Sequence, residues 1–245
     1  YGGNPLADGV KVADETRRFA RSLRAVLDGG GRALLPVFAL GRAQELLFLV
    51  SVLARKGRLP EVPVYLTGLA RAVTQIYDQT RQLTPRRDPS LRLERLPFQM
   101  LDEETLAAGG PEPPAIILAS SGMLLPYTLS NRLARHVLPE PRDACFIVGY
   151  QDPESPGFRV QHSAEGELID LGDGQPPVAR RCAVERFRFR AHSSRSELLG
   201  AARRMRPRTT GVIHGDPASV DSLGTSMEEY GGRVVRPQPA EPIDL

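Results

Sequence analysis

Apolar positions along this chain alternate between two rhythms. Phe19, Leu23, Val26 and Leu27 recur at helical spacing and run into Gly29-Gly30-Gly31, which predicts a helix closed by glycine. Ala33-Leu34-Leu35-Pro36-Val37-Phe38 follows without a polar break, as a strand buried on both faces should. A turn is expected at Gly41. From Ala43 to Ala54 the set Leu46, Leu47, Val50 and Leu53 returns to helical spacing. Val62 to Leu66 reads as a short strand, and Ile116 to Ala119 and Cys145 to Val148 as buried parallel strands between turn residues. This alternation is an α/β pattern.

The character changes between about Arg159 and Arg190, where short strand-like pieces are broken by Gly-Asp-Gly and Pro-Pro. The last of them sets Phe187, Phe189 and Ala191 against Arg186, Arg188 and Arg190, which predicts one apolar and one basic face. After His192 a helix is expected with Leu198, Leu199, Ala202 and Met205 turned inward. A strand, Gly211-Val212-Ile213, then delivers His214, and a further helix and a final strand, Arg233-Val234-Val235, follow. No internal repeat is visible. Thr84 to Ser90 and Ala108 to Pro114, rich in Pro or Gly, are the expected places of weakest order.

Composition narrows the class. At 245 residues, the chain can bury one large core or two modest ones. No run approaches the roughly 18 apolar residues of a membrane span, and Tyr1-Gly2-Gly3-Asn4-Pro5 has neither a basic nor an apolar leader segment. Cys145 and Cys182 match no zinc spacing and cannot make a disulfide framework, so buried thiols in a reducing, cytoplasmic setting are expected. Only Lys11 and Lys56 are lysines among 32 basic residues, and the net charge is +3. Arginine suits phosphate oxygens, but with so much Pro, Ala and Leu the bias reads more simply as a coding preference. The charge permits a nucleic-acid partner without demanding one.

Three places carry candidate chemistry. Phe38 to Gln44 takes a buried strand through Gly41 into a helix, so the first-turn N–H groups should leave the sheet's end in an anion-binding arrangement. Arg42 could add a phosphate contact there. The bland alternative is an ordinary strand–helix turn with a surface arginine. Ser120, Ser121 and Gly122 follow another buried strand and offer hydroxyls and close backbone approach, unless the serines merely cap a helix. His192 and His214 both stand at predicted strand ends, where two imidazoles can converge. His136 and His162 match no motif and are expected on the surface.

Together these segments resemble the β-CASP nucleases of the metallo-β-lactamase fold, a family that includes ribonuclease J and the pre-mRNA 3′-end cleavage nuclease. Pro36-Val37-Phe38-Ala39-Leu40-Gly41-Arg42-Ala43-Gln44-Glu45-Leu46 resembles the family's strand–turn–helix signature. Ala119-Ser120-Ser121-Gly122-Met123-Leu124 and Val148-Gly149-Tyr150-Gln151 resemble the next two segments, and Ala191-His192-Ser193-Ser194 and Ile213-His214-Gly215-Asp216 the last two histidine motifs. Tyr1-Gly2 is similar to the residues after the family's acidic motif. The order agrees across essentially the whole chain.

The resemblance implies a β-CASP lobe at 1–185, a parallel sheet flanked by helices. Residues 186–245 would be the C-terminal part of a metallo-β-lactamase αββα sandwich. It implies zinc-dependent hydrolysis of RNA, with His214 a zinc ligand, His192 at the scissile phosphate or leaving group, and Arg42, Ser120, Ser121, Gly122, Ser193 and Ser194 contacting substrate. Ser194 stands where many members carry aspartate, nearer the small residue of ribonuclease J. Glu154-Ser155-Pro156-Gly157 replaces the usual Gly-Thr. The family's His-x-His-x-Asp-His motif is not among these residues. A two-zinc site takes about seven or eight ligands, so an N-terminal half, in cis or on a partner chain, is expected to complete it. A catalytically silent RNA-binding or scaffold protein derived from such a nuclease remains the alternative. A nucleotide-binding protein is disfavoured because no Gly-x-x-x-x-Gly-Lys or Gly-x-Gly-x-x-Gly loop occurs, and a small-molecule hydrolase because it would have little use for the β-CASP cassette that the resemblance implies. Homodimerisation, endo- against 5′ exonuclease action, and RNA against DNA are left open.

Overall fold

The computed structural model describes residues 11–83, 85, 88–189 and 193–237. Residues 15–189 form one compact unit, and residues 193–237 belong to a second.

In the larger unit the expected alternation holds. Helix α1 (Val12–Asp28) leads to β1 (Arg32–Pro36), α2 (Arg42–Arg55), β2 (Val64–Thr67), α3 (Leu69–Gln79), the short α4 (Glu103–Ala107), β3 (Ala115–Ala119), α5 (Leu129–Val137), β4 (Ala144–Ile147) and α6 (Pro156–His162). A small antiparallel pair, β5 (Leu168–Ile169) with β6 (Val178–Ala179), precedes β7 (Ala183–Arg186). The main sheet has five strands in the order β2-β3-β1-β4-β7, every neighbouring pair parallel.

Its inner strands are covered on both faces, which is why their sequences are uninterrupted apolar runs. Ala33, Leu35, Ile116, Leu118, Ala144 and Phe146 pack on one side with α1 and α2. Leu34, Ile117, Ala119, Cys145 and Ile147 pack on the other with α5 and Val160 of α6. Each fully buried Leu, Ile or Phe contributes about 1.5–3 kcal/mol. Phe19, Phe146 and Phe187 meet edge to face with centroids 5.1–6.3 Å apart. The edge at β2 is partly capped, since Leu66 N–H donates to the Gln99 carbonyl and Gln99 N–H to that of Val64.

The basic-faced strand stops at Arg186, yet its alternation continues: Phe187 and Phe189 are buried while Arg186 and Arg188 are exposed. Glu15 anchors this segment. It is itself buried, takes hydrogen bonds from Arg18 and accepts from Arg188 N–H. Burial would raise its carboxyl, but those bonds outweigh that effect and hold it below the ordinary value. Cys145 and Cys182 are buried free thiols, and burial pushes that of Cys182 up to about 12.

The smaller unit comprises α7 (Arg195–Met205), β8 (Thr209–Gly211), α8 (Pro217–Glu228) and β9 (Arg233–Val235), with β8 and β9 paired in parallel. Ser194 caps α7 through a reciprocal arrangement with Glu197, and Asp216 caps α8 by accepting from Ser219 N–H. Two expectations fail in this unit. Met205 is 72% exposed rather than inward, because it is the last residue of α7 before Arg206 turns left-handed. The strand occupies 209–211, two residues earlier than predicted, and Ile213 is 69% exposed.

Candidate functional site

Strands β1 and β3 are neighbours, but the chain leaves them through helices on opposite faces, α2 and α5. Such a divergence opens a crevice outside the carboxyl ends of a parallel sheet, where ligands of open α/β folds bind. A cavity of about 400 Å³ lies there. Phe38 and Ala39 line it from the loop after β1, Gly68 and Leu69 from the turn after β2, and Ser120 to Gly122 and Tyr127 to Leu129 from the loop after β3.

The three loops touch closely. Gly68 has φ +73°, and a Cβ there would lie 2.6 Å from Ser120 Oγ. A Cβ on Gly122 would lie 2.8 Å from the Phe38 amide nitrogen. Both glycines are therefore needed for approach, and at Gly122 the close neighbour is the Phe38 backbone of the adjoining loop. Side chains fix the serine loop from behind. Ser130 Oγ donates to the Ser121 carbonyl, Gln151 Nε2 to that of Gly122, and Asn131 Nδ2 to that of Leu124. Ser121 Oγ accepts from Leu125 N–H. The Ser120 hydroxyl makes no hydrogen bond among the described residues.

Around Arg42 the arrangement is internally satisfied. The Gly41 amide donates to Gln44 Oε1 at 2.8 Å, that of Arg42 to the Leu40 carbonyl and that of Ala43 to the Phe38 carbonyl. The Arg42 side chain is 9% exposed, and its guanidinium is paired with Glu45 and donates to the Phe189 carbonyl. Gln44 does what the sequence did not suggest. Buried beneath the turn, its amide nitrogen reaches the Ala39 and Ala70 carbonyls and Thr74 Oγ1, tying α2 to α3. The signature thus builds the wall of the crevice, with its donors turned inward.

In the smaller unit His214 follows β8 at φ +65° and is exposed, beside the Gly215-Asp216 cap. Ser193 is exposed, whereas Ser194 is buried with its hydroxyl committed to capping. His192, with Arg190 and Ala191, lies outside the described residues. Among the described residues no three His, Cys, Asp or Glu side chains form a metal-holding group. Zinc takes about four ligands, so this donor set does not fit a zinc ion unaided. Sequence reasoning missed Leu69 and Tyr127. A Gly between a strand and a helix, as at Gly68, was the available signal for the first; Tyr127 carried none.

Comparison with known proteins decides the family. Residues 43–160 match the Beta-Casp domain, and residues 177–237 match the Zn-dependent metallo-hydrolase RNA specificity domain. The chain belongs to the β-CASP family. Among its relatives, a transcription termination factor FttA of Methanothermobacter thermautotrophicus is 29% identical over 100% of this chain and 40% of its own length. An RNase J-like protein of Methanocaldococcus jannaschii is 26% identical, covering 87% and 50%. The cleavage and polyadenylation specificity factor subunit 3-II of Arabidopsis thaliana is 26% identical, covering 83% and 33%. This β-CASP chain therefore spans about two-fifths of the length of the first relatives it matches. No helix among its described residues is long and apolar enough to cross a membrane.

Proposed function

We propose that this chain is the β-CASP and C-terminal portion of a zinc-dependent RNA hydrolase whose metal-binding half is supplied in cis or in trans. The observation that carries this reading is the pairing, in one chain, of a crevice at the carboxyl ends of a β-CASP sheet with a matched RNA specificity domain. The β-CASP lobe, residues 1 to about 185, holds RNA. The segment from about 186 onward contributes His214 as one zinc ligand and His192 at the scissile phosphate. Ser120, Ser121, Gly122 and Ser193 line the substrate path. Arg42 and Ser194 act by shaping the turns on which those groups stand, since their polar atoms are engaged within the fold.

The test joins the chain to the upstream segment and measures zinc per molecule and cleavage of a labelled RNA. Bound zinc and cleavage are expected, with at least a hundredfold loss of cleavage and reduced zinc in His214→Ala. Absence of both in the complete protein would overturn the enzymatic reading. RNA binding by that protein, steeply weakened by salt and without cleavage, would instead establish the silent RNA-binding alternative.

A further inference from the structure

We propose that the crevice beyond β1, β2 and β3 is a slot for one unpaired nucleobase of a single-stranded RNA, stacked against Tyr127. The inference rests on the RNA-processing reading above and goes further by naming which part of the nucleotide enters.

Charge is the first argument. Among the described residues the lining contains no ionisable cation. Arg42, which could have supplied one, is paired with Glu45 and the Phe189 carbonyl, and the amides of Gly41, Arg42 and Ala43 are satisfied. A phosphate entering would lose hydration with no positive charge to replace it. An uncharged planar ring meets no such cost.

The walls supply the second argument. Phe38, Leu69 and Leu129 present apolar surface to the cavity, and at its mouth Leu69 is 66% and Tyr127 82% exposed. Large side chains left uncovered at a concave site mark a surface that something else covers. Tyr127 is held outward at φ +63°, a backbone region that bulky residues rarely take. The loop bearing it is pinned at the Ser121 and Leu124 carbonyls by Ser130 and Asn131, so its backbone needs little further ordering. The third argument is the Ser120 hydroxyl in the lining, without a hydrogen-bond partner among the described residues and able to donate to or accept from a base edge. A volume of about 400 Å³ falls within the range of small-ligand pockets. One aromatic face and one hydroxyl read little sequence, so the slot accepts any base with mild preference.

The experiment compares binding of a short single-stranded RNA with the same RNA made abasic, position by position, using the full chain and fluorescence anisotropy at low salt. Removing one base is expected to weaken binding about five- to a hundredfold at one register. Tyr127→Ala should weaken the intact RNA by a similar factor and leave the abasic RNA unchanged, while Tyr127→Phe restores it. Ser120→Ala, which disturbs no side-chain hydrogen bond among the described residues, should shrink any preference among the bases without abolishing binding. RNA bound equally with and without its bases, or Tyr127→Ala weakening both alike, overturns the slot while leaving the RNA reading intact. No binding of any RNA overturns both.

Discussion

The two units of this chain are built from similar helices and parallel strands, yet they are held together differently. In residues 15–189 the strand residues Ala33 to Leu35, Ile117 to Ala119 and Ala144 to Ile147 are fully enclosed, and two helical layers cover them. In residues 193–237 the buried apolar side chains are Ala202, Val212 and Leu223, and the sheet is a pair of three-residue strands. Caps at Ser194 and Asp216 define its helices well, but a two-stranded sheet with so small a core does not stand alone in water. The lesson is that local signals can specify helix ends without supplying the burial that makes a domain. The larger unit carries its own stability and positions the crevice. The smaller one carries the histidine proposed for zinc and encloses few apolar side chains among its described residues.

The sharpest way to break this contrast is to separate the units. Residues 11–189 expressed alone are expected to unfold in one cooperative urea transition, and residues 190–245 alone to show none. A sharp transition in the shorter piece, followed by circular dichroism, would remove the distinction. A smaller effect is expected from Gln44→Leu. The exchange strands the Gly41 N–H and the Ala39 carbonyl beneath the turn and should cost about 3 kcal/mol. The urea midpoint of the full chain would read it, and a change under 1 kcal/mol would show that the turn is held by packing. The smallest effect belongs to Ser194→Ala, which removes one cap and about 1 kcal/mol. Faster hydrogen exchange should appear in the first turn of α7 and leave β1, β3 and β4 unchanged. Spread of the effect into those strands would mean that the two units unfold as one.

Several elements were legible because burial and pattern coincide in them. β1, β3 and β4 are continuous apolar runs, and α1 buries Phe19, Leu23 and Leu27 at helical spacing. Helix α3 was not legible. Its buried face is Ala70, Thr74 and Asp78, while Leu69 and Ile76 point outward, so hydrophobicity marks the wrong side. Asp78 is buried because its carboxylate accepts from Leu93 and Glu94 N–H, a partner far along the chain. Helix α5 likewise buries Ser130 and Asn131, whose side chains hold the serine loop.

The candidate site divides in the same way. The serine-glycine loop and the strand–turn–helix signature were visible as segments, and their family order carried the assignment. Their roles were not visible, because a guanidinium such as that of Arg42 can face a ligand or a carbonyl. Only its neighbours decide which.

Composition and periodicity by themselves determined that this chain makes a parallel α/β sheet, since strands enclosed on both faces must be apolar throughout and such runs are visible one residue at a time. Tertiary structure alone decided which strand ends meet, that the donors near Arg42 are used up within the fold, and that Tyr127 and Ser120 line one cavity. Those facts depend on contacts between segments distant in sequence, and no local pattern encodes the partner of a hydrogen bond.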